Sequence, residues 1–144
     1  MHEVVVKFCK LEAGAVLPTF GSDEAAGFDF YALDSVLLEA NEHALVRTGL
    51  SMELPPGYEL QIRPRSGLAL NHRITVLNAP GTVDSDYRGE IKILLINFGE
   101  DFRIERGARI AQGIVQKLPA VKIVEVESLG DTRRGSGGFG STGL

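Results

Sequence analysis

Apolar positions along the chain fall into short bursts separated by turn-forming groups, with little sign of extended helical spacing. Segments 4–10 (VVVKFCK), 28–33 (FDFYAL), 44–50 (ALVRTGL) and 58–64 (YELQIRP) are rich in β-branched or aromatic residues and predict strands. The series continues with 74–78 (ITVLN), 90–98 (EIKILLINF), 109–118 (RIAQGIVQKL) and 121–127 (VKIVEVE). PPG (55–57), APG (79–81), FGE (98–100) and ERG (105–107) punctuate them as turns. Short strands at a spacing of ~8–12 residues predict an all-β sandwich or barrel. In 58–63, Tyr58, Leu60 and Ile62 alternate with Glu59, Gln61 and Arg63, a strand with one wet face. Segment 90–98 breaks that alternation: beyond Lys92 nearly every residue to Phe98 is apolar, as in a strand covered on both faces. A thick core of the chain itself or another subunit would supply the second cover. One helix is predicted, over 66–72 (SGLALNH), with Pro64 resisting helix before it and Ser66 as its cap.

Composition narrows the class. A chain of 144 residues with 44% hydrophobic content is one domain with a core of its own. The single cysteine, Cys9, has no internal disulfide partner and is expected to be a packed core thiol. No apolar run approaches the ~18–20 residues of a membrane span. The start of the chain, MHEVVVKF, lacks the pattern of a secretion signal. The expected location is therefore cytoplasmic, with no membrane partner. A net charge of −4 and a pI near 5.4 argue against a general nucleic-acid binder. His2, His43 and His72 have no zinc-like spacing, so any metal would be a hard ion such as Mg²⁺ held mainly by substrate oxygens and water. There is no phosphate-binding GxxxxGK[ST] loop, no GxGxxG after a strand and no GxSxG elbow.

Five stretches carry candidate chemistry. RPRSGLAL (63–70) places Arg65 beside a helix start, where free N–H groups favour anions; taken alone, its simpler reading is a capped surface turn with a solvated arginine. NAPGTVDSDYRGEIK (78–92) reads as a hairpin whose loop carries Asp84 and Asp86, either solvated or set to orient a water. In AAGFDFYA (25–32), Asp29 lies between Phe28 and Phe30 and needs a partner, most simply an ion pair that shapes the fold. In ERGARIAQG (105–113), Arg109 and Gln112 face a ligand, an ion-pair network or an ordinary strand edge. The ending RRGSGGFGSTGL (133–144) cannot build a core; it is a disordered tail or a flexible segment that wraps an anion and stacks Phe139 on a flat ring.

Taken together these stretches resemble the trimeric dUTP pyrophosphatase (dUTPase) family. Its five motifs appear in order as AAGFDFYA (25–32), RPRSGLA (63–69), NAPGTVDSDYRGEI (78–91), RGARIAQ (106–112) and RRGSGGFGSTG (133–143). The resemblance implies a jelly-roll subunit of β-clip type, closing into a homotrimer with active sites between subunits. Residues 1–130 would form the domain, and 131–144 an arm that covers a neighbouring site. The implied reaction takes dUTP and water to dUMP and pyrophosphate, which keeps uracil out of DNA and supplies dUMP for thymidylate synthesis. By the family pattern, Asp84 activates the water that attacks the α-phosphorus. Tyr87 packs under the deoxyribose and leaves no room for a 2′-hydroxyl. Asn78 with the backbone of Gly81, Thr82, Val83 and Asp84 forms the uracil pocket, and Lys92 lines it. Arg65, Ser66 and Gly67 hold phosphates from a neighbouring subunit, and Gln112 reaches the phosphate chain. Arg134 closes on the γ-phosphate with the arm around Gly140, Ser141 and Thr142, while Phe139 stacks on the uracil. Arg133 is adjacent and competes with Arg134 for that role. Asp29 would support Mg²⁺ through its water shell. Asp86 is left as a hairpin or interface residue.

Three rivals remain. The related dCTP deaminases share the fold but not the complete glycine-rich arm together with GTVDSDY. A binding protein without turnover would have less need of Asp84, Tyr87 and the arm together. Single-strand binding through the tail has only two arginines and one aromatic to work with.

Overall fold

A computed structural model describes residues 3–143; His2 and Leu144, noted above, lie outside the described residues. Eleven strands and one helix run in chain order. They are Lys7–Lys10 (β1), Thr19–Phe20 (β2), Phe28–Tyr31 (β3), Val36–Leu38 (β4), His43–Glu53 (β5) and Tyr58–Arg63 (β6), followed by the helix Ser66–His72 (α1). Ile74–Val76 (β7), Gly81–Asp84 (β8), Ile91–Asn97 (β9), Phe102–Ile104 (β10) and Arg109–Lys117 (β11) complete the series. All pairings are antiparallel. One sheet has the order β1-β5-β9-β7 and the other β2-β3-β11-β6-β8, with β10 and β4 pairing separately. The result is the predicted all-β fold, a jelly-roll-like sandwich with one short helix.

The core lies between the sheets. Phe30, Leu60, Ile62, Ile110 and Ala111 from one sheet face Val46, Leu50, Ile91, Ile93 and Leu95 from the other, all buried. Phe8, Phe28 and Phe30 meet edge to face at 5.6–6.3 Å between ring centres, the arrangement their quadrupoles favour. Gly113 sits under this cluster: a Cβ there would lie 2.7 Å from Phe28 Cε2 and 2.8 Å from Phe30 Cε2. Asn97 is fully buried and satisfied, donating to the Leu38 and Glu100 carbonyls and accepting from the Gly99 N–H.

Several expectations need correction. Segment 121–127 forms no strand; Val121 and Ile123 are 76% and 93% exposed, because no strand of the described chain lies beside them. Cys9 is exposed, not packed, since it sits on the edge strand β1 facing away from the core that Phe8 joins. Ser66 does not cap α1: Arg65 occupies the cap position and no side chain bonds the first turn. The outer face of β9 is not covered by the described residues of the chain; Lys92 is exposed, Leu94 and Ile96 are half-buried, and the facing Leu45 is 57% exposed. A thick core of the chain itself is thereby ruled out as the second cover. Residues 78–92 are no simple hairpin either, because β8 pairs with β6 in one sheet while β9 pairs with β5 and β7 in the other.

Candidate active site

The crossing from β8 to β9 opens a cavity of about 460 Å³ between the sheet ends. This is within the range of small-molecule sites. Asn78, Gly81, Thr82, Val83, Asp84, Tyr87 and Lys92 all line it, together with the apolar wall of Leu45, Ile62 and Leu94. The seven polar and backbone positions expected from sequence to hold the base and sugar therefore converge, although they come from two sheets. β8 is the last strand of its sheet, so one edge of its backbone is unpaired and offers N–H and C=O groups to the cavity. Gly81 brings that backbone close: a Cβ would stand 3.2 Å from Ile62 Cβ and 3.4 Å from the Asn78 amide nitrogen.

Asp84 ends β8 and is exposed, with its backbone carbonyl accepting from the Tyr87 N–H at 3.1 Å. That turn carries the tyrosine ring back over Gly89, where a side chain would collide with the phenol. The Tyr87 hydroxyl donates to the Glu90 backbone carbonyl at 2.9 Å. Arg88 ties the same loop to β5, reaching Glu53 at 3.7 Å and donating to the Ser85 carbonyl at 2.6 Å. Glu90, at the back of the cavity, is gripped by Arg47 through Nε and Nη2 at 3.0–3.2 Å. That hydrogen bonding holds the Glu90 carboxyl below the usual carboxylate range.

A second cluster forms on the same sheet around Asp29, which pairs in register with Gln112 of β11, itself opposite Arg63 of β6. Arg65 Nε stands 3.4 Å from one Asp29 oxygen and Arg109 Nη1 3.8 Å from the other. Gln112 donates to the Pro64 carbonyl at 3.0 Å, fixing the approach to α1. The ion-pair role expected for Asp29 is thus present. Three inter-strand spacings, ~14 Å, separate Asp29 on β3 from β8 across the sheet. Ser66 and Gly67 are exposed at the start of α1, and nothing of the described chain comes within 4 Å of a Cβ placed on Gly67.

The arm forms turns of its own. Arg134 Nε donates to the Gly137 carbonyl at 2.7 Å, and the Ser141 N–H to the Gly138 carbonyl at 3.0 Å. Among the described residues, every hydrogen bond made by residues 131–143 stays within that segment. Phe139 is fully exposed, with a positive φ of 51°. The arm residues Arg134, Phe139, Gly140, Ser141 and Thr142 are therefore together, but not at the β8–β9 cavity. Sequence reasoning passed over Arg47 and Glu90; the only signal was a charged residue in an otherwise apolar strand.

Among the described residues no group of three or more His, Cys, Asp or Glu side chains is placed to hold a metal ion, and no helix is long and apolar enough to cross a membrane. Asp29 is occupied by two guanidiniums, and Asp84 is the carboxylate open to the cavity rim. Such a donor set fits an ion held by phosphate oxygens and water, which is how Mg²⁺ is commonly bound.

A profile of the dUTPase family matches residues 13–143. The chain belongs to the dUTPase family. It is accordingly an enzyme, of a nucleotide-hydrolysing class. A deoxyuridine 5'-triphosphate nucleotidohydrolase of Wolinella succinogenes is 57% identical over 144 residues, covering 99% of this chain and 97% of that protein. One from Helicobacter pylori is 50% identical, covering 96% and 97%. Among solved structures, a dUTPase of Staphylococcus bacteriophage 80alpha with dUPNHPP superposes with a TM-score of 0.89 at 25% identity, covering 97% of this chain and 99% of that one. A phage phi11 dUTPase mutant, described as coordinating a structural Mg(II) ion, gives 0.79 at 21% identity, covering 88% and 99%.

Proposed function

We propose that the chain hydrolyses dUTP to dUMP and pyrophosphate, with the uracil and deoxyribose in the β8–β9 cavity. The observation that carries this reading is the convergence of Asn78, the free edge of β8, Asp84 and Tyr87 on one cavity. Uracil shows an acceptor, a donor and an acceptor along O2, N3–H and O4. The unpaired edge of β8 and the Asn78 amide can match that order, and cytosine would leave polar groups unpaired. The Tyr87 ring, pinned by Glu90 and Gly89, packs under the sugar and leaves no space for a 2′-hydroxyl.

Asp84 stands at the rim, where its carboxylate accepts a proton from the water that attacks the α-phosphorus. Phosphoryl transfer depends on positioning and charge neutralisation. Arg65, the N–H groups of Ser66 and Gly67, and Gln112 supply these from the Asp29 cluster, with Lys92 lining the pocket. Bound Mg²⁺, held by substrate phosphates and water with Asp29 as an outer support, would add further neutralisation.

The working form is a homotrimer in which the cluster of one subunit serves the cavity of another. Supporting this are the uncovered outer face of β9 and the exposed Val121, Ile123 and Leu129. Residues 1–130 form the domain. The arm, 131–144, unwinds from its own turns to close over a neighbouring cavity, with Arg134 on the γ-phosphate and Phe139 over the base. In the cell the reaction keeps uracil out of DNA and provides dUMP for thymidylate synthesis.

The test is pyrophosphate release with Mg²⁺, run side by side on dUTP, dCTP, dTTP and UTP. Release from dUTP alone is expected. Amino release from dCTP, or binding of dUTP without turnover, would overturn the reading.

A further inference from the structure

The ladder between β5 and β9 breaks where the cavity begins. Arg47 stands opposite Lys92, but the next pair is Leu50 with Ile91, so Thr48 and Gly49 are extra residues on β5. Gly49 has a φ of 71°, which a side chain would resist. Glu90 fills this bulge. Its carboxylate accepts from the Gly49 N–H at 3.2 Å and from Arg47 through two nitrogens, and its side chain is 12% exposed. Glu12 accepts from the same Arg47 Nη2 at 3.2 Å. The Glu90 peptide in turn accepts the Tyr87 hydroxyl. A fork-to-fork guanidinium–carboxylate pair fixes direction as well as distance. Arg47 thus holds the Glu90 side chain, and the Glu90 backbone carbonyl holds the Tyr87 hydroxyl.

We infer that Arg47 is a positioning residue for sugar selectivity: it fixes Glu90, whose carbonyl fixes the Tyr87 ring against the position of the 2′-carbon. The inference rests on the proposed role of Tyr87. Exclusion of one hydroxyl requires the ring to hold its place within about 1 Å, a displacement that changes rates by up to ~10²-fold. Arg47 itself lies outside the cavity lining, so its effect passes through the loop rather than through contact with substrate.

The test compares kcat/KM for dUTP with that for UTP in the full chain, for Arg47→Met, Arg47→Lys, Tyr87→Phe, Tyr87→Ala and the Arg47→Met/Tyr87→Phe double variant. Arg47→Met and Tyr87→Phe are each expected to lower the dUTP:UTP ratio about tenfold, and the double variant no further than the worse single, because both cut one path. Arg47→Lys is expected to recover part of the ratio, since an ammonium lacks the fork. It also carries the comparison if Arg47→Met does not fold. An Arg47→Met protein with lowered Tm but a wild-type ratio would overturn the inference, and so would additive effects in the double variant. If Tyr87→Ala leaves the ratio unchanged, the sugar reading itself falls and the inference with it. A ratio that collapses in Tyr87→Ala but stands in Arg47→Met removes the inference alone.

Discussion

Asp29 holds Arg65 at 3.4 Å across the sheet, one carboxylate oxygen to the guanidinium Nε, while its other oxygen faces Arg109. The proposed phosphate-binding arginine, at the start of α1, is thus oriented by a carboxylate on β3 before any ligand arrives. Asp29→Asn keeps the shape and removes the charge, leaving two guanidiniums near each other. The pair is neither fully buried nor exposed, with side chains 16% and 27% accessible. A loss of about 1–2 kcal/mol lies between the surface and buried limits. Thermal unfolding should show that loss, and steady-state kinetics a several-fold higher KM for dUTP. An unchanged KM would separate Arg65 placement from Asp29.

Asp84→Asn tests the proposed base. The exposed position at the end of β8 tolerates the amide without repacking. Loss of a general base lowers kcat by roughly 10²–10⁴-fold. Calorimetric titration with dUTP should still show binding. Retention of most of the wild-type rate would exclude Asp84 as the base.

Much of this arrangement was legible in the chain, for physical reasons that differ by element. Tyr58–Arg63 reads as a strand because one face meets the core, and Leu60 and Ile62 are indeed the buried pair. The helix was bounded by Pro64 and runs over the predicted residues. Residues 121–127 carry the same local preference as a strand, but preference does not supply a neighbouring edge. β8 was expected as one arm of a hairpin with β9, but it pairs with β6, because the edge of β6 is free while β9 lies in the other sheet. The site motifs pointed to the cavity residues, yet not to Arg47, whose role depends on a two-residue bulge that only the register exposes.

Gly113 gives a test of packing independent of catalysis. A methyl there would press on Phe28, Phe30 and Leu60, the last at 3.0 Å. Rings buried in an edge-to-face cluster have little room to withdraw. Overpacking of this kind costs about 1–3 kcal/mol. Gly113→Ala should therefore lower the denaturation midpoint while leaving the turnover of the folded fraction unchanged. A midpoint equal to wild type would mean that the three side chains relax freely.

Glu90 sets an acid limit on stability. Hydrogen bonding to Arg47 lowers its folded-state pKa from the ordinary value of 4.5, with the Gly49 N–H adding to the effect. A depressed carboxyl pKa means that the unfolded chain binds the proton more readily. The contribution is fully present above pH 4.5 and fades as pH falls through the lower folded value. Glu90→Gln should be less stable than wild type at neutral pH, and the gap should narrow below pH 4.5. Parallel acid-unfolding curves for the two proteins would contradict this.

The arm offers the sharpest separation of folding from turnover. Its hydrogen bonds close within residues 131–143, and its one aromatic, Phe139, touches no core. Ending the chain after Asp131 therefore removes no partner from the sandwich, and the denaturation midpoint and sedimentation behaviour should match wild type. If the arm covers the cavity and aligns the phosphates, turnover should fall on the order of 10²-fold, the scale of lost positioning. Added arm peptide should restore little, because tethering supplies the effective concentration. A truncated protein that unfolds would make the arm structural, and one that keeps full turnover would remove it from the site.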